Sequence, residues 1–162
     1  MECKTSSTYK TLRHVETVRN YLNCIIKEIL NRQENHDQTK MQSPELEIFD
    51  IYTSKLRDTT YGSDEYKSHM KEMKVAIDHH NANNRHHPEH FLNGINDMNL
   101  VDIIEMLCDW KAASLRHNDG NILKSIDLNQ QRWGYSDEFK QILKNTAMWL
   151  DSKNIYNKAD ES

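Results

Sequence analysis

Residues 99–115, NLVDIIEMLCDWKAASL, decide the fold class. Leu100, Ile103, Ile104, Leu107 and Cys108 recur at three- and four-residue spacing, the period of a helix packed along one side. Asn99 is a favoured N-cap residue, and Asp102 three positions later completes a capping-box-like arrangement. The spacing predicts a helix from residue 100 to about 115 with those five side chains toward a core. Asp109 follows the same side into MLCDWKAA, where a solvated aspartate is out of place. A buried carboxylate is costly unless it is paired, hydrogen-bonded or bound to a cation.

The same periodicity extends in both directions. Upstream, residues 81–94 (NANNRHHPEHFLNG) read as a structured loop, with Pro88 restricting the backbone at His87. Before it, Ser63 caps a helix whose face carries Tyr66, Met70, Met73 and Ile77 and reaches His80 one turn on. Ser43-Pro44 is a start signal, hydroxyl as cap and proline at the first helical position, for a helix to about residue 57 that partly buries Leu46, Phe49, Tyr52 and Leu56. Residues 31–42 read as a turn and a short helix. Residues 8–31 carry Val15, Val18, Leu22, Ile25, Ile26, Ile29 and Leu30 at helical period, with His14 on the same, buried side. Downstream, residues 122–128 form a short helix, and Ser136 caps a last one to about residue 150 with Phe139, Leu143, Ala147 and Leu150 packed. No β-alternation competes. The expectation is an all-α fold, a single compact domain over 1–162 with its core at about 10–150 and five or six main helices.

At 162 residues, 36% hydrophobic and 28% charged, the chain has room for one ordinary core. A formal net charge of −4 lacks the broad basic field that holds duplex nucleic acid by its phosphates. Cys3, Cys24 and Cys108 are too few and scattered for a disulfide framework or a thiolate zinc site. The first residues lack a signal peptide's apolar stretch, and no run approaches the ~20 apolar residues that span a bilayer. A soluble, cytoplasmic protein is expected, with no membrane partner and with homodimerisation open.

Histidine and aspartate distribution points to chemistry. His14 lies in the first helix, His36-Asp37 follow it, five histidines crowd between His79 and His90, and Asp109 comes in the later helix. Each has a bland reading. His14 serves equally as a hydrogen-bonded core residue, Asp109 as an ion-pair partner of Lys111 or Arg116, and the histidine crowd as a solvated loop. One metal centre explains all of them together, and imidazole with carboxylate and no thiolate suits Fe, Mn, Zn, Co or Ni. Lys40, Arg85 and Arg116 are the cations near these residues, able to meet phosphate oxygens. Glu89 and His90 are candidates for a proton donor or for a partner that orients an imidazole. Trp110 and Trp133 are either core or base-stacking residues.

The segment HDQTKMQSPE, from His36 to Glu45, resembles the signature of the HD metal-dependent phosphohydrolase superfamily, and Asp109 falls where that superfamily places its last aspartate ligand. The resemblance implies an HD-domain-like helical fold and one or two divalent ions. His14, His36, Asp37 and Asp109 would hold the first, and His80 (or His79) with His87 (or His86) the second. Layout around HHNANNRHHPEHF is similar to the cyclic-dinucleotide phosphodiesterase branch, although that branch's glycine-tyrosine-proline element is absent. The chain as a whole also resembles a family of small phage and bacterial proteins with HD-xx-K-xx-SPE and HHPEH segments, a likeness that covers about residues 10–150 and supplies no substrate. The activity that the superfamily resemblance implies is hydrolysis of a small phosphorylated substrate, a nucleotide or cyclic nucleotide, by metal-activated water, with Lys40, His90 and Arg116 as catalytic or phosphate-contacting groups. The alternatives are a non-catalytic metal-binding interaction protein and a nucleotide sensor without turnover.

Overall fold

Residues 6–57, 63–115 and 120–153 are described by a computed structural model, and every regular element among them is helical. The chain divides into two compact units, one up to Gln38 and one from Thr39 onward. No helix among the described residues is long and apolar enough to cross a membrane.

The described part of the first unit is built on one helix, α1 (Ser7–Asn35), 29 residues long and so about 43 Å at 1.5 Å per residue. Ser6 caps it, its hydroxyl accepting the Tyr9 N–H at 3.1 Å, and no interior proline or glycine interrupts it. None of its residues is buried. The expectation of a buried side shared with His14 is therefore corrected: His14 is exposed, as are Val15, Val18, Leu22, Ile25, Ile26 and Leu30. Amphipathic spacing establishes that a helix has an apolar side, not that the side is covered. The helix ends at His36, followed by Asp37 at φ 58°, a left-handed conformation that aspartate tolerates better than most side chains.

In the second unit α2 (Glu45–Arg57) starts one residue after Pro44, which therefore precedes the helix instead of opening it; the Ser43–Pro44 peptide is cis. Phe49 and Tyr52 are half-buried as expected, whereas Leu46 is exposed; the side chain of Leu56 lies outside what is described. Next come α3 (Asp64–Glu72), capped by the Ser63 hydroxyl, and α4 (Lys74–Asn83). The single helix expected here is divided at Met73, whose N–H turns back to the carbonyls of His69 and Lys71. Met73 and Ala76 are both buried, and that packing overrides a local sequence with no glycine or proline to mark the break.

Short 3-10 turns at Pro88–His90 and Gly94–Asp97 lead to α5 (Leu100–Ser114), then α6 (Ile122–Trp133) and α7 (Asp137–Asp151). The helix at α6 runs five residues beyond the expected end, to Gly134 at φ 67°. The described residues thus hold seven α-helices where five or six were expected. Ile95, Ile103, Met106, Leu107, Ile122, Ile126, Tyr135, Leu143 and Ala147 form the core, with Trp110, Trp133 and Phe139 packed against it. Both tryptophans therefore follow their core reading.

The buried side of α5 is rotated from the expected one. Leu100, Ile104 and Cys108 are exposed, while Asp102, Ile103, Met106, Leu107 and Ser114 are buried. The fully buried carboxylate of this helix is Asp102, not Asp109. It accepts the Asn99 N–H in a complete capping box and both Nε and Nη2 of Arg85, at 3.0 and 2.8 Å. A planar guanidinium matches a carboxylate in this two-bond fashion, so both partners are satisfied where burial would otherwise be costly.

Candidate metal centre

At the heart of the second unit lies Glu45, the first residue of α2, with 0% exposure. Its two oxygens take two neighbouring imidazoles. His79 Nδ1 lies 2.7 Å from Oε1 and His80 Nδ1 2.8 Å from Oε2. With the carboxylate ionised, the proton in each contact belongs to Nδ1, which donates it to the carboxylate. In a neutral ring the lone pair then belongs to Nε2, the tautomer in which an imidazole ligates a metal through that atom. Thr39 donates its hydroxyl to Oε2 at 3.0 Å, and Asn84 donates to Thr39 Oγ1 and to the His80 carbonyl, both at 2.8 Å. Burial pushes the Glu45 carboxyl up, but donors from His79, Thr39 and His80 outweigh it and hold the group below the usual glutamate value.

Asn84 ends α4 in an extended conformation, and the chain turns back through Arg85, His86 and His87. His87 is extended, at φ −96° and ψ 124°, as the residue before proline prefers. His86 is 2% exposed, and its Nδ1 lies 3.1 Å from Glu105 Oε1 on α5, a second carboxylate set behind an imidazole. The ring centroids of His80 and His87 stand 4.7 Å apart, those of His80 and His86 5.9 Å, and those of His86 and His87 4.2 Å. Each of the three offers a ring nitrogen, and these nitrogens lie within 4.8 Å of one another. Imidazole donors of borderline softness with carboxylates behind them are the surroundings that divalent zinc, iron, manganese, cobalt or nickel accept. The described residues are all-helical, with a buried histidine cluster able to hold a divalent metal ion.

Of the expected site residues, His80 and His87 stand together, and His86 joins them instead of replacing His87. His79 is turned to Glu45, its side chain 38% exposed. Asp109 is half-buried on α5, and Lys111, offered as its partner, pairs with Asp151. His36 and Asp37 belong to the first unit, with His36 Nε2 3.7 Å from Asp37 Oδ2. Lys40 is half-buried in a 3-10 turn at Gln38–Met41. His90 is half-buried, its ring 4.8 Å from that of Phe91 and its Nδ1 without a hydrogen-bond partner among the described residues. Arg116 lies outside the described residues. Arg85 is paired with Asp102, and Glu89 accepts from Arg132 Nη2 at 2.6 Å.

Sequence reasoning missed Glu45, Glu105, Thr39 and Asn84. A glutamate just after Ser-Pro reads as an ordinary solvated acid of a first helical turn. The signal that could have marked it is the need of several buried histidines for carboxylates behind them.

No curated protein and no solved structure matched the chain. Its sequence matches, over residues 3–152, the family described as "Family of unknown function (DUF5662)", and the chain belongs to that family.

Proposed function

We propose that the chain is a metal-dependent hydrolase of phosphate esters whose substrate is a nucleotide or cyclic nucleotide. The observation that carries this reading is the convergence of His80, His86 and His87, with carboxylates set behind two of the three rings. Three neutral imidazoles leave the remaining coordination positions of an ion to water and substrate, the composition of a catalytic rather than a closed structural site. A divalent ion bound there supplies a water acidified toward neutrality and an electrophile for the phosphoryl oxygens. The resemblance to the HD superfamily, a property of the sequence, implies a separate ion with His36, Asp37 and Asp109 as its donors. His14, exposed on α1, falls outside the proposed set. Lys40 takes the role of a cation that binds a non-bridging phosphate oxygen, and His90 that of a proton donor to the leaving group.

The test is turnover by protein loaded in turn with manganese, iron, cobalt and zinc, on phosphomonoesters and cyclic nucleotides. Expected is metal-dependent release of product that chelation removes, that His86→Ala abolishes together with bound metal, and that Asp109→Ala lowers through its metal content. Lys40→Ala should keep the metal and raise KM. A metal-loaded protein inert on every ester of the panel would overturn hydrolysis and leave a binding role for the same site.

A further inference from the structure

We infer that Glu45 is a positioning residue for the metal centre: it fixes the tautomer of His80, directing Nε2 of that ring toward His86 and His87, and holds His79 apart from them. The inference rests on the proposed metal reading and extends it to a residue that touches neither ion nor substrate.

His79 and His80 are adjacent on α4, so their side chains leave the helix about 100° apart. One carboxylate nonetheless serves both, one oxygen each, at 2.7 and 2.8 Å. An ionised carboxylate satisfies both contacts at once. It is acceptor-only on both oxygens, so it demands Nδ1–H from both rings; a carboxamide has one acceptor and one donor end, and would require the opposite tautomer of one ring. Thr39 and Asn84 give the group a fixed seat, Thr39 donating to Oε2 and Asn84 to Thr39. At 0% exposure no water competes for these bonds. The His79 side chain is 38% exposed and that of His80 5%, so the pair is divided by its surroundings as well. The ring inside the protein faces the other two imidazoles, and the ring at the surface braces the carboxylate from the far side. Glu105 stands in the corresponding place behind His86, at 12% side-chain exposure.

The experiment reads tautomer and affinity separately. In 15N-labelled protein without metal, long-range nitrogen–proton correlations should show His79 and His80 both as the Nδ1–H tautomer in the wild type, and one of the two as a mixture, or as Nε2–H, in Glu45→Gln. Zinc, titrated as the probe, should bind the variant about 10- to 100-fold more weakly, the range expected when the partner behind a ligand is lost. Thr39→Val, a milder change that leaves the carboxylate in place, guards against a fold lost with Glu45. It should weaken zinc binding several-fold with His80 still Nδ1–H. A wild-type His80 in the Nε2–H form, or a folded Glu45→Gln protein with wild-type zinc affinity, overturns the assignment. Absence of zinc binding in the wild type would instead strike the metal reading, while the tautomer measurement still tests what Glu45 does to His80. Absence of hydrolysis alone would touch neither result.

Discussion

Tyr135 shows how one side chain couples packing to solution conditions. It is buried in the core between α6 and α7, with its hydroxyl donating to the Ile126 carbonyl at 2.5 Å. Burial, with the Asp127 charge nearby adding to it, pushes the phenol from 10.0 to about 12. Because the folded protein resists ionisation longer than the unfolded chain, the associated stability is intact below pH 10 and drains away as pH rises from there through about 12. A displacement of that size corresponds to about 3 kcal/mol. Wild type should therefore lose most of that between pH 9 and 12 beyond any general alkaline effect. Tyr135→Phe should be less stable at neutral pH by about 1 kcal/mol for the lost hydrogen bond, leaving the Ile126 carbonyl engaged only within its helix, and should lack this part of the alkaline decline. Denaturant titrations at several pH values check it; parallel alkaline limbs for the two proteins would sink it.

Between elements, two glycines separate backbone strain from packing. Gly94 and Gly134 both hold positive φ, 58° and 67°. A Cβ at Gly134 would meet nothing within 4 Å, whereas at Gly94 it would lie 3.2 Å from Trp133 Cε3, a ring pinned against the core. Gly134→Ala should cost about 1 kcal/mol for the left-handed backbone alone. Gly94→Ala should cost about 2 kcal/mol more, because the ring must move. Urea midpoints of the two variants measure the difference, and equal losses would show that Trp133 yields freely. Helix starts at Ser63, Asn99 and Ser136 were legible in the sequence because a cap is local chemistry, visible in three or four residues. The division at Met73 and the rotated side of α5 were not, since both depend on what lies opposite. Of the site, the histidine crowd was legible and helical period put His80 on the packed face, but the carboxylate behind it, Glu45, lies thirty-five residues earlier in the chain and was not.

Across the whole molecule, the candidate metal centre and the apolar core of the second unit share a helix. Glu105 of α5 holds His86, and the next two residues, Met106 and Leu107, lie in the core. The imidazoles come from α4 and the turn after it, and the carboxylates behind them from α2 and α5. An unfolded chain holds no such arrangement, so an ion that binds it binds the native state, and its binding free energy becomes folding free energy. Zinc at about 100-fold its dissociation constant should add about 2.7 kcal/mol, raising Tm by about 5 to 10 °C for a chain of this size. A chelator should return the protein to its metal-free Tm, and His80→Ala should show neither rise nor fall. The comparison carries its own control, because zinc bound loosely at surface histidines would shift both proteins alike. A wild-type Tm indifferent to zinc and chelator, in protein folded by circular dichroism, would mean that the three rings meet for packing and that no ion is linked to this fold.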